Sequence, residues 1–67
     1  MKVKLKQLID QSDYTRVEMA KLANVSRQTI HAIETNKYCP SIQLALKISN
    51  ILNTDVKKIF ILEKEDL

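Results

Sequence analysis

Residues 24–38 read NVSRQTIHAIETNKY. Ser26 is suited to cap a helix, and Ile30 and Ile33 behind it mark one buried stripe, while Arg27, Gln28, His31 and Thr35 fall largely on the opposite, polar side. The helix this predicts, about 26–35, starts only three residues after another. In TRVEMAKLA, residues 15–23, Thr15 and Glu18 have the spacing of a capping box, and Val17, Met19, Ala20 and Ala23 supply an apolar side. Only Asn24, Val25 and Ser26 separate the two. So short a turn needs a residue at positive φ, a place usually given to glycine, and the chain contains no glycine. Asn24 is the residue left for the role, because Asn and Asp tolerate the left-handed region best after glycine.

Working outward, Leu5, Leu8 and Ile9 are spaced i, i+3, i+4 and predict a helix over about 4–12, joined to the next by Ser12, Asp13 and Tyr14. Residues 37–40 form a loop, and Ser41 caps a helix over 41–52. Its apolar positions 42, 44, 45, 46, 48, 51 and 52 cover more than one face, which predicts a central helix touched on several sides. Asn53 ends it, and Asp55 caps a last short helix, 55–60, with Val56, Ile59 and Phe60 facing inward. MKVKLK alternates apolar residues with lysine, and FILEKE near the other end is apolar, then charged. These ends either pair as a small two-stranded sheet or Val3 begins the first helix; the period-two alternation favours pairing. The expected fold is all-α, five short helices in one compact domain spanning 1–67.

A chain of 67 residues makes one domain at most, with a core so small that such domains often lean on a disulfide, a metal or a second subunit. Cys39 and His31 are the sole cysteine and histidine, which excludes an internal disulfide and a four-ligand zinc site. No cofactor is expected, and stability is left to packing and dimerisation. Cys39 itself reads as a semi-buried loop thiol. No apolar run approaches the ~20 residues of a membrane span, and MKVKLKQ lacks the apolar core of a signal peptide. A cytoplasmic location follows as the expectation. Paired carboxylates, an activated nucleophile and a metal cluster are all missing from the pattern, so an enzyme is not expected. Residues 1–62 hold ten Lys/Arg against five Asp/Glu, a balance of +5, whereas EKEDL at 63–67 carries −2. A basic body suits a polyanionic partner such as nucleic acid, and it equally suits a lysine-rich solvated surface.

A three-residue turn forces a steep angle between the helices at 15–23 and 26–35, and the second then projects its N-terminal polar face outward. That arrangement lets a helix enter the DNA major groove while its predecessor abuts the backbone. The residues T-x-x-E-M-A-x-x-A-x-V-S-R-Q-T-I-x-x-I-E-x-x-K-Y-x-P-S, followed by L-A-L-K-I, resemble the phage-repressor-like helix-turn-helix family, also called Xre or Cro type, from about Leu5 to Phe60. The length resembles the small standalone members, a cytolysin-operon repressor among them. The resemblance implies a five-helix domain with the helix-turn-helix in its second and third helices. It implies a homodimer that binds a double-stranded, pseudo-palindromic DNA operator and represses transcription.

Carried over residue by residue, the resemblance puts Arg27, Gln28, His31 and Ala32 against base edges and Arg16, Ser26, Thr29 and Lys37 against the DNA backbone. The chemistry suits these roles: Arg pairs with guanine O6/N7, Gln with adenine N6/N7, and a helix N-terminus with phosphate. Ala32 offers a methyl alone, and His31 is open to being an exposed bystander. A different class of function, a protein-interaction module such as an antitoxin or a subunit working with an unidentified co-regulator, would rest on the apolar IFIL segment, residues 59–62.

Two departures from the family pattern carry expectations. Relatives have an Arg where this chain has Ile9, paired with the Glu that corresponds to Glu34, and a Gln where it has Arg16. Glu34 is therefore expected to stay partly exposed or to pair with Lys37. Four positions given to glycine in relatives hold Asp13, Asn24, Asn36 and Asn53, and positive φ is expected at these.

Overall fold

The computed structural model describes residues 1–67. Along the chain come strand β1 (Lys2–Val3), helices α1 (Leu5–Gln11), α2 (Arg16–Ala23), α3 (Arg27–Glu34), α4 (Ile42–Leu52) and α5 (Val56–Ile59), strand β2 (Phe60–Ile61), and a single 3-10 turn at Lys64–Asp66. The fold is mostly helical with a two-stranded sheet, as the sequence predicts. β1 and β2 pair antiparallel, Lys2 opposite Ile61 and Val3 opposite Phe60. The period-two alternation of MKVKLK thus registers a strand, and Phe60, expected in the last helix, leaves it to join the sheet.

Side-chain caps begin four helices. The Glu18 amide donates to Thr15 Oγ1 (3.1 Å) and the Thr15 amide to Glu18 Oε1 (2.9 Å), closing the capping box of α2. Ser26 accepts from the Thr29 amide, Ser41 from Leu44 and Asp55 from Lys57. Each supplies an acceptor to an amide that has none within its helix.

Three helices end by one device. Asn24, Asn36 and Asn53 have φ of 60°, 61° and 49°. After each, the next amide reaches back five residues: Val25 to Ala20 O (2.9 Å), Lys37 to Ala32 O (2.8 Å) and Thr54 to Ser49 O (3.1 Å). This is the Schellman closure, which satisfies the last carbonyls only if the residue after the helix turns left-handed. Asp13 is a correction to the expected set, since it is not at positive φ. Helix α1 ends differently: Ser12 is extended, its hydroxyl donates to Ile9 O (2.7 Å) and accepts from the Tyr14 amide (3.1 Å). A side chain closes the turn there, and no left-handed residue is required.

The core gathers Leu5, Ile9, Met19, Ala20, Ala23, Ile30, Ile33, Leu44, Ile48 and Ile59 from all five helices, with Val3, Leu8, Val25, Ile51, Leu52 and Phe60 packed on it. Two expectations change. Val17 is exposed and does not share the buried side of α2. Helix α4 packs on α2 and α5, but it is not enclosed: Ile42 is 80% exposed and Leu46 is 49% exposed. Their i, i+4 spacing places them on one face, away from the buried Leu44 and Ile48.

Candidate nucleic-acid interface

Helix α2 ends in the Schellman closure at Asn24, and the chain passes through Val25 to Ser26, whose extended backbone (φ −79°, ψ 158°) and hydroxyl start α3. The stop signal of one helix abuts the start signal of the next, so the axes must turn sharply. Ile30 and Ile33 then bury one side of α3, and its remaining face is left to solvent.

On that face Arg27, Gln28 and His31 meet Arg16 from the start of α2 around a concavity of about 450 Å³ with no apolar side chain in its lining. It contains two guanidinium groups, an amide and an imidazole. Every one can donate a hydrogen bond, and nothing acidic lines the wall, so the concavity is matched to oxygen-rich, anionic surfaces. The backbone amides of Arg27 and Gln28 donate to no protein acceptor. They add the partial positive charge of a helix N-terminus beside it.

The other expected site residues do not line this concavity. Ser26 Oγ is 3.0 Å from Thr29 Oγ1 and already accepts the Thr29 amide. Ala32 is half-buried one turn beyond Gln28, and Lys37 is exposed just after α3. Asn36 Nδ2 donates to Met1 O (2.8 Å), tying the end of α3 to the residue before β1. Cys39 is exposed, not semi-buried as expected, because the loop carrying it lies outside the packed helices.

Glu34 has a partner that the sequence reading did not supply. Its side chain is 4% exposed, and Arg16 Nε donates to its Oε1 at 2.7 Å. His31 Nδ1 stands 4.0 Å from the other oxygen. The expected pairing with Lys37 is not formed, because Asn36 turns left-handed and carries the chain out of α3 before Lys37. Asp10, also not singled out from sequence, takes a second Arg16 bond, Nη2 to Oδ1 at 3.1 Å. Burial alone would lower the Arg16 pKa; the hydrogen bond to Asp10 and the charges of Glu34 and Asp10 outweigh it and leave it above the ordinary arginine value. In the family pattern that the sequence resembles, Arg stands at the position of Ile9 and Gln at that of Arg16, so one departure supplies the cation that the other removes.

No group of three His, Cys, Asp or Glu side chains is placed to hold a metal ion, and no helix is long and apolar enough to cross a membrane.

The helix-turn-helix family model matches residues 5–59 of the chain, from the first residue of α1 to the last of α5. An uncharacterized HTH-type transcriptional regulator of Methanocaldococcus jannaschii is 44% identical over 66 residues, 98% of this chain and 100% of that relative. One from Archaeoglobus fulgidus is 37% identical over 67 residues, 100% of this chain and 94% of the relative. YgzD of Bacillus subtilis, with the same description, is 38% identical over 66 residues, 98% and 100% of the two chains. These are not relatives of an enzyme family. The match covers both helices of the motif, the turn between them and the core that holds them, and the chain belongs to the Xre-type helix-turn-helix family.

Proposed function

We propose that the chain is a sequence-specific DNA-binding transcriptional regulator, a repressor, that grips a pseudo-palindromic operator as a homodimer with α3 in the major groove. The observation that carries this is the concavity where Arg16, Arg27, Gln28 and His31 meet beside the open amides at the start of α3. Arg27, Gln28, His31 and Ala32 read base edges; Arg16, Ser26, Thr29 and Lys37 hold phosphates. Arg27 and Gln28 are exposed, with long side chains free to form bidentate pairs with guanine or adenine. Repression is the direct consequence of occupancy, since a protein seated in successive major grooves excludes others from them.

A second copy is supported by the exposed apolar pair Ile42 and Leu46, which one protomer leaves uncovered on α4. The same observation favours the second reading, a protein-interaction module, with the partner on that face of α4 and not on residues 59–62 as expected, since Ile59 is buried and Phe60 and Ile61 pair with β1. The discriminating experiment compares binding of the duplex upstream of the chain's own gene with random duplex at ~0.15 M salt. Preferential retention of the upstream duplex by the protein alone supports the repressor. Retention that appears only with a second protein supports the module and overturns the repressor.

A further inference from the structure

Asp10, Arg16 and Glu34 form a chain of charges from the surface inward, their side chains 52%, 32% and 4% exposed. Arg16 gives its Nε proton to Glu34 and one Nη2 proton to Asp10. A guanidinium has five N–H donors, so three are left without a protein partner, on a side chain that lines the concavity.

The two carboxylates hold the guanidinium in different ways. Glu34 is enclosed, its bond is the shorter at 2.7 Å, and it sits on α3 itself. Water and salt screen it little, and it fixes the plane of the guanidinium relative to the recognition face. Asp10 is on the outside, at the end of α1, with a 3.1 Å bond in contact with solvent. A pair of that kind is weak and readily exchanged. A DNA phosphate approaching Arg16 offers the same chemistry as Asp10, an anionic oxygen pair for a guanidinium edge.

Resting on Arg16 as a phosphate contact, we propose that Asp10 is a gating carboxylate. It occupies in the free protein the edge of Arg16 that a DNA phosphate takes in the complex, while the Arg16–Glu34 bond persists as the pivot. Docking exchanges one ion pair for another and leaves Asp10 unpaired near the backbone. Asp10 therefore attenuates binding to every duplex by the same factor, because phosphates carry no sequence information. The gate lowers occupancy of random DNA without touching base discrimination.

The test uses the full chain and a short labelled duplex of random sequence, titrated by fluorescence anisotropy across about 50–200 mM salt. Asp10→Asn is expected to tighten binding about two- to fivefold, the range of an exposed ion pair. Its salt dependence steepens by up to about one unit, since no unpaired carboxylate then offsets counterion release. Asp13→Asn, which removes an exposed carboxylate three residues on that pairs with no cation, controls for the general gain from losing a negative charge and is expected to fall below twofold. In an Arg16→Ala background the effect of Asp10→Asn is expected to shrink to that control. A gain for Asp10→Asn that merely equals Asp13→Asn, or that survives in the Arg16→Ala background, overturns the gate alone. Arg16→Ala binding as tightly as the parent overturns the phosphate contact, and the gate with it. Asp10 lies on the surface and packs in no core, so its variant keeps the fold on which the comparison depends.

Discussion

Arg16, the first residue of α2, and Glu34, the last residue of α3, meet at 2.7 Å. The two helices of the motif are thus joined twice: through the chain at Asn24–Ser26, and through this ion pair at their far ends. A helix pair pinned at both ends resists splaying, and the exposed face of α3 is set before any ligand arrives. Breaking the pair strands a carboxylate that is almost wholly enclosed. Arg16→Ala is therefore expected to destabilise the fold by about 1–3 kcal/mol, partial exposure of Arg16 keeping it below the loss for a fully buried pair. In a chain of this size that lowers the melting temperature by roughly 5–20 °C. Glu34→Gln, which keeps an acceptor for Nε, should lose less. A thermal melt of Arg16→Ala superimposed on the parent's would mean that the pair contributes nothing.

The Schellman closures predict a pattern across four sites. Glycine at 24, 36 or 53 keeps the left-handed backbone and should change stability by no more than roughly 1 kcal/mol, since Gly adapts to positive φ but frees the unfolded chain. Valine at the same sites must enter that region with a branched Cβ and is expected to lose at least about 1–2 kcal/mol. Asp13→Val should lack this penalty, because Ser12 closes that turn with its hydroxyl. Denaturant midpoints for the Gly and Val series would show it; equal midpoints for Asn24→Gly and Asn24→Val would refute a positive φ at that turn.

How far the sequence reveals this fold depends on how local the cause is. The capping box of Thr15 and Glu18, the caps at Ser26, Ser41 and Asp55, and the left-handed asparagines are settled within a few residues, and they are legible. The pairing of β1 with β2 spans the whole chain but leaves a period-two trace at Lys2 and Lys4, so it too can be read. What escapes is what tertiary geometry alone decides. Asp13 resembles the three asparagines until Ser12 is seen to do its work. Ile42 and Leu46 belong by composition to a buried helix, yet α2 and α5 cover only part of α4. The Arg16–Glu34 pair spans 18 residues, and no periodicity reports a contact of that kind.

Arg27 and Lys37 are expected to fail in different ways. Arg27 stands on the exposed face at the start of α3, and loss of a bidentate base contact should weaken operator binding by about 1–3 kcal/mol and relax one base position. Lys37 is exposed past the end of α3, and in the proposed complex its partner is a phosphate. Lys37→Ala should weaken operator and random duplex alike and flatten the dependence of log K on log salt by about one unit. The measurement is a salt titration of each variant on both duplexes. Equal losses on both for Arg27→Ala would count against its reading role.

Substitutions at Ile42 and Leu46 test the proposed dimer. The two residues share one face of α4, and neither is buried within the protomer, so replacing them with aspartate leaves the core intact. If a second copy covers them, each aspartate is desolvated twice in a symmetric interface, once per protomer, and meets its like across the twofold axis. Ile42→Asp and Leu46→Asp should then sediment as monomers where the parent sediments as a dimer. Dimerisation also makes the parent's melting temperature rise with protein concentration, a dependence the variants should lose. On DNA, two recognition helices about 34 Å apart bind as one unit only when joined. The variants should lose operator affinity by about 100-fold or more while keeping that for a single half-site, because the second contact no longer benefits from the effective concentration the dimer provides. A parent that sediments as a monomer, or an aspartate variant that holds the full operator as tightly as the parent, would place the dimer contact elsewhere or remove it.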